Sequence, residues 1–445
     1  MFRKILIANR GEIACRVMAA CRQLKIRTVA VYSEADANAL YVRLADQAVK
    51  IGPPENARSY LNMPQILSTA DLTGVEAIHP GYGYLAESAS FAEIVAAHKL
   101  TFIGPPAEVL RLAGDKAACR RRMLEAGVPV IPGSEECVPS PAEARRLARE
   151  IGYPVRLKAA MGGGGRGIRV VHNDEEMGPA FDNAQREAQT AFGDPAVYLE
   201  KSLSGVRHIE VQILADHHGS IVHLGERDCS LQHRNQKLVE EAPAPGLEGS
   251  VRRRLGEAAI KAAEAVGYRN AGTVEFLYDG KRRFYFLEMN ARIQVEHPVT
   301  EMLTGVDIVQ EQLRIAAGER LSVQQGRIWA HGHAIECRIL AADSENGFTP
   351  CPGKITAWVP PCGPGIRVDS GVTTGDEVPP YYDPMIAKVI CWAPTRPEAI
   401  ARMEAALRGM IVEGVRTTIP VHLRILGNRF FRDAELDTHF LLHRL

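Results

Sequence analysis

The sequence predicts a fold of mixed class, α/β at its amino end and α+β beyond it. In residues 1–115 short apolar strands alternate with amphipathic helices, the pattern of a doubly wound parallel sheet. Between Val155 and Val171 a glycine-rich loop joins two strands instead of opening a helix. From His208 onward strands follow one another directly, as antiparallel neighbours do.

Residues 4–8 (Lys-Ile-Leu-Ile-Ala) form the first strand, and the 3.6-residue apolar period of 12–24 predicts a helix. The β-branched run 27–32 is the next strand, with further strands at 77–78 and 101–103. The turn Asn9-Arg10-Gly11-Glu12 lacks the glycine spacing of a dinucleotide fingerprint, so no nicotinamide cofactor is expected. His79-Pro80-Gly81-Tyr82-Gly83-Tyr84 lies beyond a strand end, where such sheets hold ligands, although proline and glycine there also suit a stiff turn. Composition changes at 127–133, a domain boundary. Helix 141–151, strand 155–159, the glycine loop, strand 168–171, helix 175–191 and strand 197–201 follow. Antiparallel strands 208–214 and 221–227 come next, and helix 397–411 and a short helical tail close the chain.

With 445 residues and 46% apolar content the chain can bury more than one core, in two or three domains. Its formal net charge of zero gives no reason to expect a nucleic-acid or membrane-surface partner. No apolar run approaches the ~20 residues of a membrane span, and the amino terminus enters a strand without a targeting segment. Nine cysteines without C-x-x-C or metal-ligand spacing fit reduced thiols in a cytoplasmic protein.

In Met161-Gly162-Gly163-Gly164-Gly165-Arg166-Gly167, three glycines match G-x-G-x-x-G, but the loop opens the strand 168–171 and not a helix. The Gly-Lys-Ser/Thr of a P-loop is absent, as are the D-F-G and H-R-D motifs of protein kinases. A glycine loop between two strands reads as a flap whose backbone N–H groups, at Gly163, Gly164 and Gly165, can donate to nucleotide phosphates. Lys158, at the end of the preceding strand, can neutralise their charge.

The most informative run is residues 286–301. Phe284-Tyr285-Phe286-Leu287 is strand-forming, so Glu288 and Asn290 project from one face. A carboxylate beside an amide oxygen suits a hard cation such as Mg²⁺. Arg292, Gln294 and Glu296 keep that parity for as long as the chain stays extended. Residues 271–278 form the preceding strand, and Asp279-Gly280 is a turn signal. A four-residue loop, 279–282, sets Glu275 opposite Phe286 and diagonal to Glu288, about 7 Å away. A two-residue turn sets it opposite Phe284, out of reach. Paired carboxylates also serve glycosidases, but the sugar-stacking aromatic composition is missing.

In order and spacing these motifs resemble the ATP-grasp enzymes, and within them the biotin carboxylases, over essentially the whole chain. The resemblance rests on Ile7-Ala8-Asn9-Arg10-Gly11-Glu12-Ile13-Ala14, His79-Pro80-Gly81-Tyr82-Gly83, Gly114-Asp115-Lys116 and the glycine flap. It continues through Glu226-Arg227-Asp228-Cys229-Ser230, Glu240-Glu241-Ala242-Pro243-Ala244-Pro245 and the run Glu288 to Glu301. Gly332-His333-Ala334-Ile335-Glu336-Cys337-Arg338 and Pro379-Pro380-Tyr381-Tyr382-Asp383 complete it. It implies a Rossmann-like domain at 1–115 and a first ATP-grasp part at 116–203 with a mobile lid at about 131–203. A catalytic part at 204–330 and a carboxyl-terminal mixed domain at 331–445 follow.

The implied reaction is ATP-dependent carboxylation of a carrier-bound biotin by bicarbonate, as in acetyl-CoA and other acyl-CoA carboxylases. The resemblance places Lys116, Lys158 and His208 on the nucleotide phosphates and ribose, and Glu200, Lys201 and Leu203 at an adenine-side hinge. Gln232, Asn235 and Leu277 join them as ATP contacts. Glu275, Glu288 and Asn290 would hold Mg²⁺ or Mn²⁺. Lys237, Arg292, Gln294 and the Val295 backbone would hold bicarbonate, with Tyr82 near biotin. Glu296 would be the base for bicarbonate, and Arg338 would stabilise the biotin enolate.

The chain departs from the family pattern in Gln232-His233-Arg234-Asn235-Gln236-Lys237, where Gln-Arg-Arg-His-Gln-Lys is common, so a histidine beside the phosphates becomes Asn235. Arg156 stands where an aliphatic residue is usual, the flap has four glycines where many relatives have five, and Ala291 replaces Thr or Pro. No Met-Lys biotinylation site or carboxyltransferase-sized segment occurs, so the carrier and the carboxyltransferase are expected on separate chains, with a homodimer as the family's assembly. The alternatives are another ATP-grasp carboxylate–amine ligase and a nucleotide-binding homologue with impaired catalysis.

Overall fold

Five parallel strands open the chain, in the order Gln47–Gly52, Arg27–Ser33, Lys4–Ile7, Ala77–His79, Thr101–Phe102. This is the doubly wound sheet expected, in a computed structural model that describes residues 1–160 and 168–445. Apolar clusters cover both faces, one around Ile5, Ile7 and Val17, the other around Leu6, Val31 and Phe91. The edge strand Gln47–Gly52 was not evident from sequence, because it is half exposed and lacks a clean apolar alternation.

A three-stranded antiparallel sheet, Ile168–Val171, Val155–Ala159, Val197–Lys201, forms the second unit. Helices Pro141–Ile151 and Asp174–Phe192 pack on it around a core of its own that includes Leu157, Phe181 and Leu199. Side chains cap both helices: Ser140 accepts from the Glu143 amide and Asn173 from those of Glu175 and Glu176. Bridges Val130–Phe286 and Gly133–Glu200 tie the entering segment to the rest. The glycines 163–165 fall outside the described residues.

The third sheet has eight antiparallel strands. Their order is Phe284–Asn290, Asn270–Tyr278, Arg207–Ala215, Ile221–His233, Gln236–Ala242, His333–Leu340, Met385–Ala393, Ile366–Ser370. It runs without a break across residue 330.

Two details differ from expectation. The helix expected at 397–411 is Arg396–Gly409, entered through a Thr395–Glu398 capping box. Met410 is already extended, and the β-branched Ile411–Glu413 pairs instead with Ala357–Val359. The loop after Tyr278 spans five residues, 279–283, and a bulge sits between Glu275 and Phe276. The longer loop and the bulge each shift the register by one residue in the same direction, which sets Glu275 directly opposite Glu288, closer than the expected diagonal. Among the described residues no helix is long and apolar enough to cross a membrane, and all nine cysteines are free.

Candidate active site

One row of side chains crosses four neighbouring strands of the large sheet. Arg227 is opposite Glu210, Glu210 is opposite Glu275, and Glu275 is opposite Glu288. Directly opposed residues share a face, so the strand register, with the bulge beside Glu275, puts these charges in line. The row lies beside a cleft of about 1320 Å³ between the three sheets, lined by Lys116, Lys158, His208, Glu275, Glu288 and Arg338 among others.

Lys237 is the hub. Its Nζ lies 2.6 Å from Glu210, 2.9 Å from Glu275 and 2.6 Å from Glu296. Burial alone would lower its pKa, but the three carboxylates raise it well above the usual lysine value. Burial would likewise raise Glu296, yet Lys237, Arg338 and Arg227 hold it far below the usual carboxylate range. Arg338 Nη2 is 2.9 Å from Glu296, and its Nε donates to Glu240 at 2.6 Å. Arg227, fully buried, donates to Glu210, Gln212, Thr300, Thr273 and Gln294. Each buried charge would cost several kcal/mol if left alone, and here nearly every one meets its opposite.

The expected metal ligands are held by cations. Glu275 accepts from Gln294 at 2.8 Å and meets His208 at 3.0 Å, while Glu288 meets Lys116 at 2.9 Å. The Asn290 amide oxygen accepts from Arg292 at 3.0 Å. Glu275 opposite Glu288, with Asn290 two positions along the same strand, is a set of oxygen donors that suits a hard divalent ion. The His208, Glu210 and Glu275 ligand atoms also lie within 4.8 Å of one another. His208 is desolvated, which lowers its pKa, but Glu275 reverses the direction and raises it.

Arg292, Gln294, Val295 and Glu296 all line the cleft, although the chain leaves the strand after Asn290. Parity therefore picked out residues that line the cleft, for a reason that does not persist beyond the strand. The Val295 carbonyl accepts from the buried Lys388 at 2.8 Å. Tyr82 lines the cleft and donates to Glu12. Its loop is held by Asn9, whose amide donates to the carbonyls of Pro80 and Tyr82. Gly81 has φ +64, and a Cβ there would lie 2.8 Å from that amide, so the turn requires glycine.

Gln232, Asn235 and Leu277 also line the cleft, and Gln232 Nε2 is 3.0 Å from His208 Nδ1. Glu200, Lys201 and Leu203 do not. Glu200 pairs with Lys158, Lys201 donates to the carbonyls of Gly152 and Tyr153, and Leu203 packs with Ile131, Val206 and Leu277. Arg156 lines the cleft and finds partners in Ser202 Oγ at 3.2 Å and the Leu203 carbonyl at 3.3 Å.

Asn235 acquires a second explanation. Arg234 (φ +49) and Asn235 (φ +66) form a two-residue left-handed turn closed by the pair His233–Gln236, a conformation that asparagine favours. His233 stacks on Phe348, 4.1 Å between centroids. Sequence reasoning missed Glu210, Arg227, Glu240 and Glu87 as parts of the site. Glu210 shares strand parity with His208, and Arg227 and Glu240 stand in motifs that carry the family resemblance. Glu87, 3.2 Å from Arg292, carried no signal.

Family models match the chain in three stretches: biotin carboxylase, N-terminal domain, at 1–110; carbamoyl-phosphate synthase L chain, ATP binding domain, at 115–324; and biotin carboxylase C-terminal domain at 336–443. A relative named biotin carboxylase 1, from Bacillus subtilis, is 54% identical over 442 residues, 99% of this chain and 98% of its own. A pyruvate carboxylase subunit from Methanothermobacter thermautotrophicus is 54% identical over 441 residues, 99% of this chain and 90% of its own. The crystal structure of a biotin carboxylase–β,γ-ATP complex from Campylobacter jejuni superposes with a TM-score of 0.97 at 48% identity, covering 100% of this chain and 99% of that one. The biotin carboxylase domain dimer of the Hydrogenobacter thermophilus 2-oxoglutarate carboxylase, with MgADP, ADP and bicarbonate, gives 0.95 at 50% identity, covering 99% and 97%.

Proposed function

We propose that this chain, which belongs to the biotin carboxylase family, uses ATP and bicarbonate to carboxylate a carrier-bound biotin. It is an ATP-dependent ligase. The observation that carries the reading is the Glu296 carboxylate spanning Lys237 at 2.6 Å and Arg338 at 2.9 Å on the cleft wall.

Bicarbonate is a poor electrophile, so one of its oxygens must first become a leaving group. Attack on the γ-phosphorus gives carboxyphosphate and releases ADP, a phosphoryl transfer that needs positioning and charge cancellation more than covalent help. Lys116, Lys158 and His208 face the phosphates, with Gln232, Asn235 and Leu277 as further nucleotide contacts. Glu200, Lys201 and Leu203 serve the adenine side, and the three-stranded unit that carries Lys158 acts as the lid. Glu275, Glu288 and Asn290 would hold Mg²⁺ or Mn²⁺, which when bound shields the phosphate charge. Lys237, Arg292, Gln294 and Val295 hold bicarbonate, and Glu296 takes its proton. The ion pairs keep Glu296 anionic until the substrate arrives. A bicarbonate that takes over the Lys237 and Arg338 hydrogen bonds then leaves Glu296 more basic.

Carboxyphosphate then breaks to CO₂ and phosphate. The phosphate removes the N1′ proton of biotin, and that nitrogen attacks the carbon. Arg338 offsets charge developing on the ureido oxygen, and Tyr82 borders the biotin position.

The test is bicarbonate-dependent ADP release with and without free biotin. Stimulation by biotin supports the reading. Release that depends on an amine, with no response to biotin, identifies a carboxylate–amine ligase instead.

A carrier protein and a carboxyltransferase on separate chains, a homodimer, and a cytoplasmic location complete the reading. The Methanothermobacter relative, named as one subunit of a carboxylase, supports the first, the Hydrogenobacter domain dimer the second, and nine free cysteines the third.

A further inference from the structure

Behind Arg338 lie two carboxylates to which the proposed reaction assigns no role. Glu240 and Glu336 are direct partners on the adjacent strands Gln236–Ala242 and His333–Leu340. Opposed residues of an antiparallel pair share a face, with Cβ atoms about 5 Å apart. Both side chains are 0% exposed. One Glu240 oxygen is held by Arg338, while the other Glu240 oxygen and both Glu336 oxygens have no hydrogen-bond partner.

Two buried carboxylates side by side cannot both remain charged with three oxygens unsatisfied. One proton between them pairs two of the three orphans and leaves the third as the uncharged carbonyl oxygen of an acid, because a carboxylic acid is a donor and a carboxylate is not. We infer that Glu336 is a positioning residue which stays protonated and donates to the free Glu240 oxygen, so that Glu240 can hold the Arg338 guanidinium toward Glu296.

The surroundings place the proton on Glu336. One side of it meets the apolar group Ala242, Val299, Leu303, Ala334 and Ile390. The charged neighbours are Arg338 on its own strand, Glu240 and Lys388 on the flanking strands, and Glu296 and His297 at the start of the helix packed above. Lys388 is engaged by Val295 and Glu12, and His297 is held neutral by its burial. Burial, aided by Glu240 and Glu296 against Lys388 and Arg338, raises the Glu336 pKa well above the usual carboxylate value. The same kind of balance sets Glu240 at about 7.

The role of Arg338 rests on the proposed reaction, whereas the proton itself can be tested apart from it. Infrared difference spectra of the full chain, wild type minus Glu336→Gln at neutral pH, are expected to show the C=O band of a buried carboxylic acid. Absence of that band overturns the inference whatever the enzyme's activity. Biotin-dependent ADP release supplies the second readout. Glu336→Gln, still a neutral donor, is expected to retain kcat near neutral pH and to lose the alkaline decline that ionisation of Glu336 imposes on the wild type. Glu336→Leu, which cannot donate, is expected to lose about tenfold in kcat, the scale of one charge-assisted hydrogen bond, with the KM for Mg-ATP unchanged. Equal losses in both variants, or an alkaline decline that persists in Glu336→Gln, also overturn it.

Discussion

The three-stranded unit and the large sheet border the same cleft but hold their charges in different ways. On the helix Pro141–Ile151 of the three-stranded unit, Arg146 and Arg149 make their ion pairs in water, at 55% and 69% exposure. On the large sheet Arg227, Glu210 and Lys388 are fully buried. Exposed pairs are worth ~0–1 kcal/mol, and these three are all made within the unit itself. A buried network is costly to break and carries its geometry into the reaction. Labour is divided accordingly: the large sheet is preorganised for charge, and the three-stranded unit contributes Lys158 to the cleft wall.

The largest effect should come from the large sheet. Glu296→Gln is expected to lower bicarbonate-dependent ATP cleavage by about a hundredfold or more, the range of a lost general base, while Mg-ATP binding by titration calorimetry survives. Turnover comparable with the wild type would remove Glu296 from the mechanism.

Lys237→Met should follow, combining lost activity with lost stability. It leaves Glu210, Glu275 and Glu296 without their shared cation, and breaking such a buried network costs about 3–5 kcal/mol. A drop in denaturation midpoint is the check. The equivalent change on the lid, Arg146→Ala, should shift that midpoint by almost nothing. Equal shifts would erase the contrast between the two regions.

Acid should reveal the same contrast. Burial would raise the Glu241 pKa, but the hydrogen bond to His333 and the charge of Arg396 bring it down to about 2. A depressed carboxylate contributes stability that is fully present above its unfolded value of roughly 4.3. That contribution is lost as pH falls toward 2. Glu241→Gln should therefore flatten the stability–pH curve below about pH 4, as followed by thermal melts.

The lid should respond to ligand more than to mutation. Hydrogen exchange across 131–203 is expected to slow when Mg-ATP binds, while the strand Arg207–Ala215, buried throughout, stays slow in both states. Exchange that is unchanged in both regions would make the lid a static cover.

The smallest effect belongs to Asn235. A charged histidine in its place would supply a phosphate bond roughly twice as strong as a neutral one. The left-handed turn, however, already suits asparagine. Asn235→His is expected to change Mg-ATP affinity or turnover only a few-fold, about 1 kcal/mol, and pairing it with His233→Arg separates the turn from the contact. Lower activity in both backgrounds would show that the turn governs this position.

Residues close in sequence were legible from sequence alone. The alternation of strands and helices announced the doubly wound sheet, because a strand's period and a helix's period are local properties. The glycine loop between strands excluded the dinucleotide and P-loop readings without any tertiary information. Glu275, Glu288, Asn290 and Glu296 stood out because hard-cation and acid–base chemistry demand those residue types near one another. Tertiary structure decided which charges meet. The bulge that puts Glu275 opposite Glu288, the Lys237 hub, Glu87 beside Arg292 and the unpartnered Glu336 all depend on residues tens to hundreds of positions apart. Strand register, bulges and desolvation set those encounters, and each is an outcome of packing the whole chain at once.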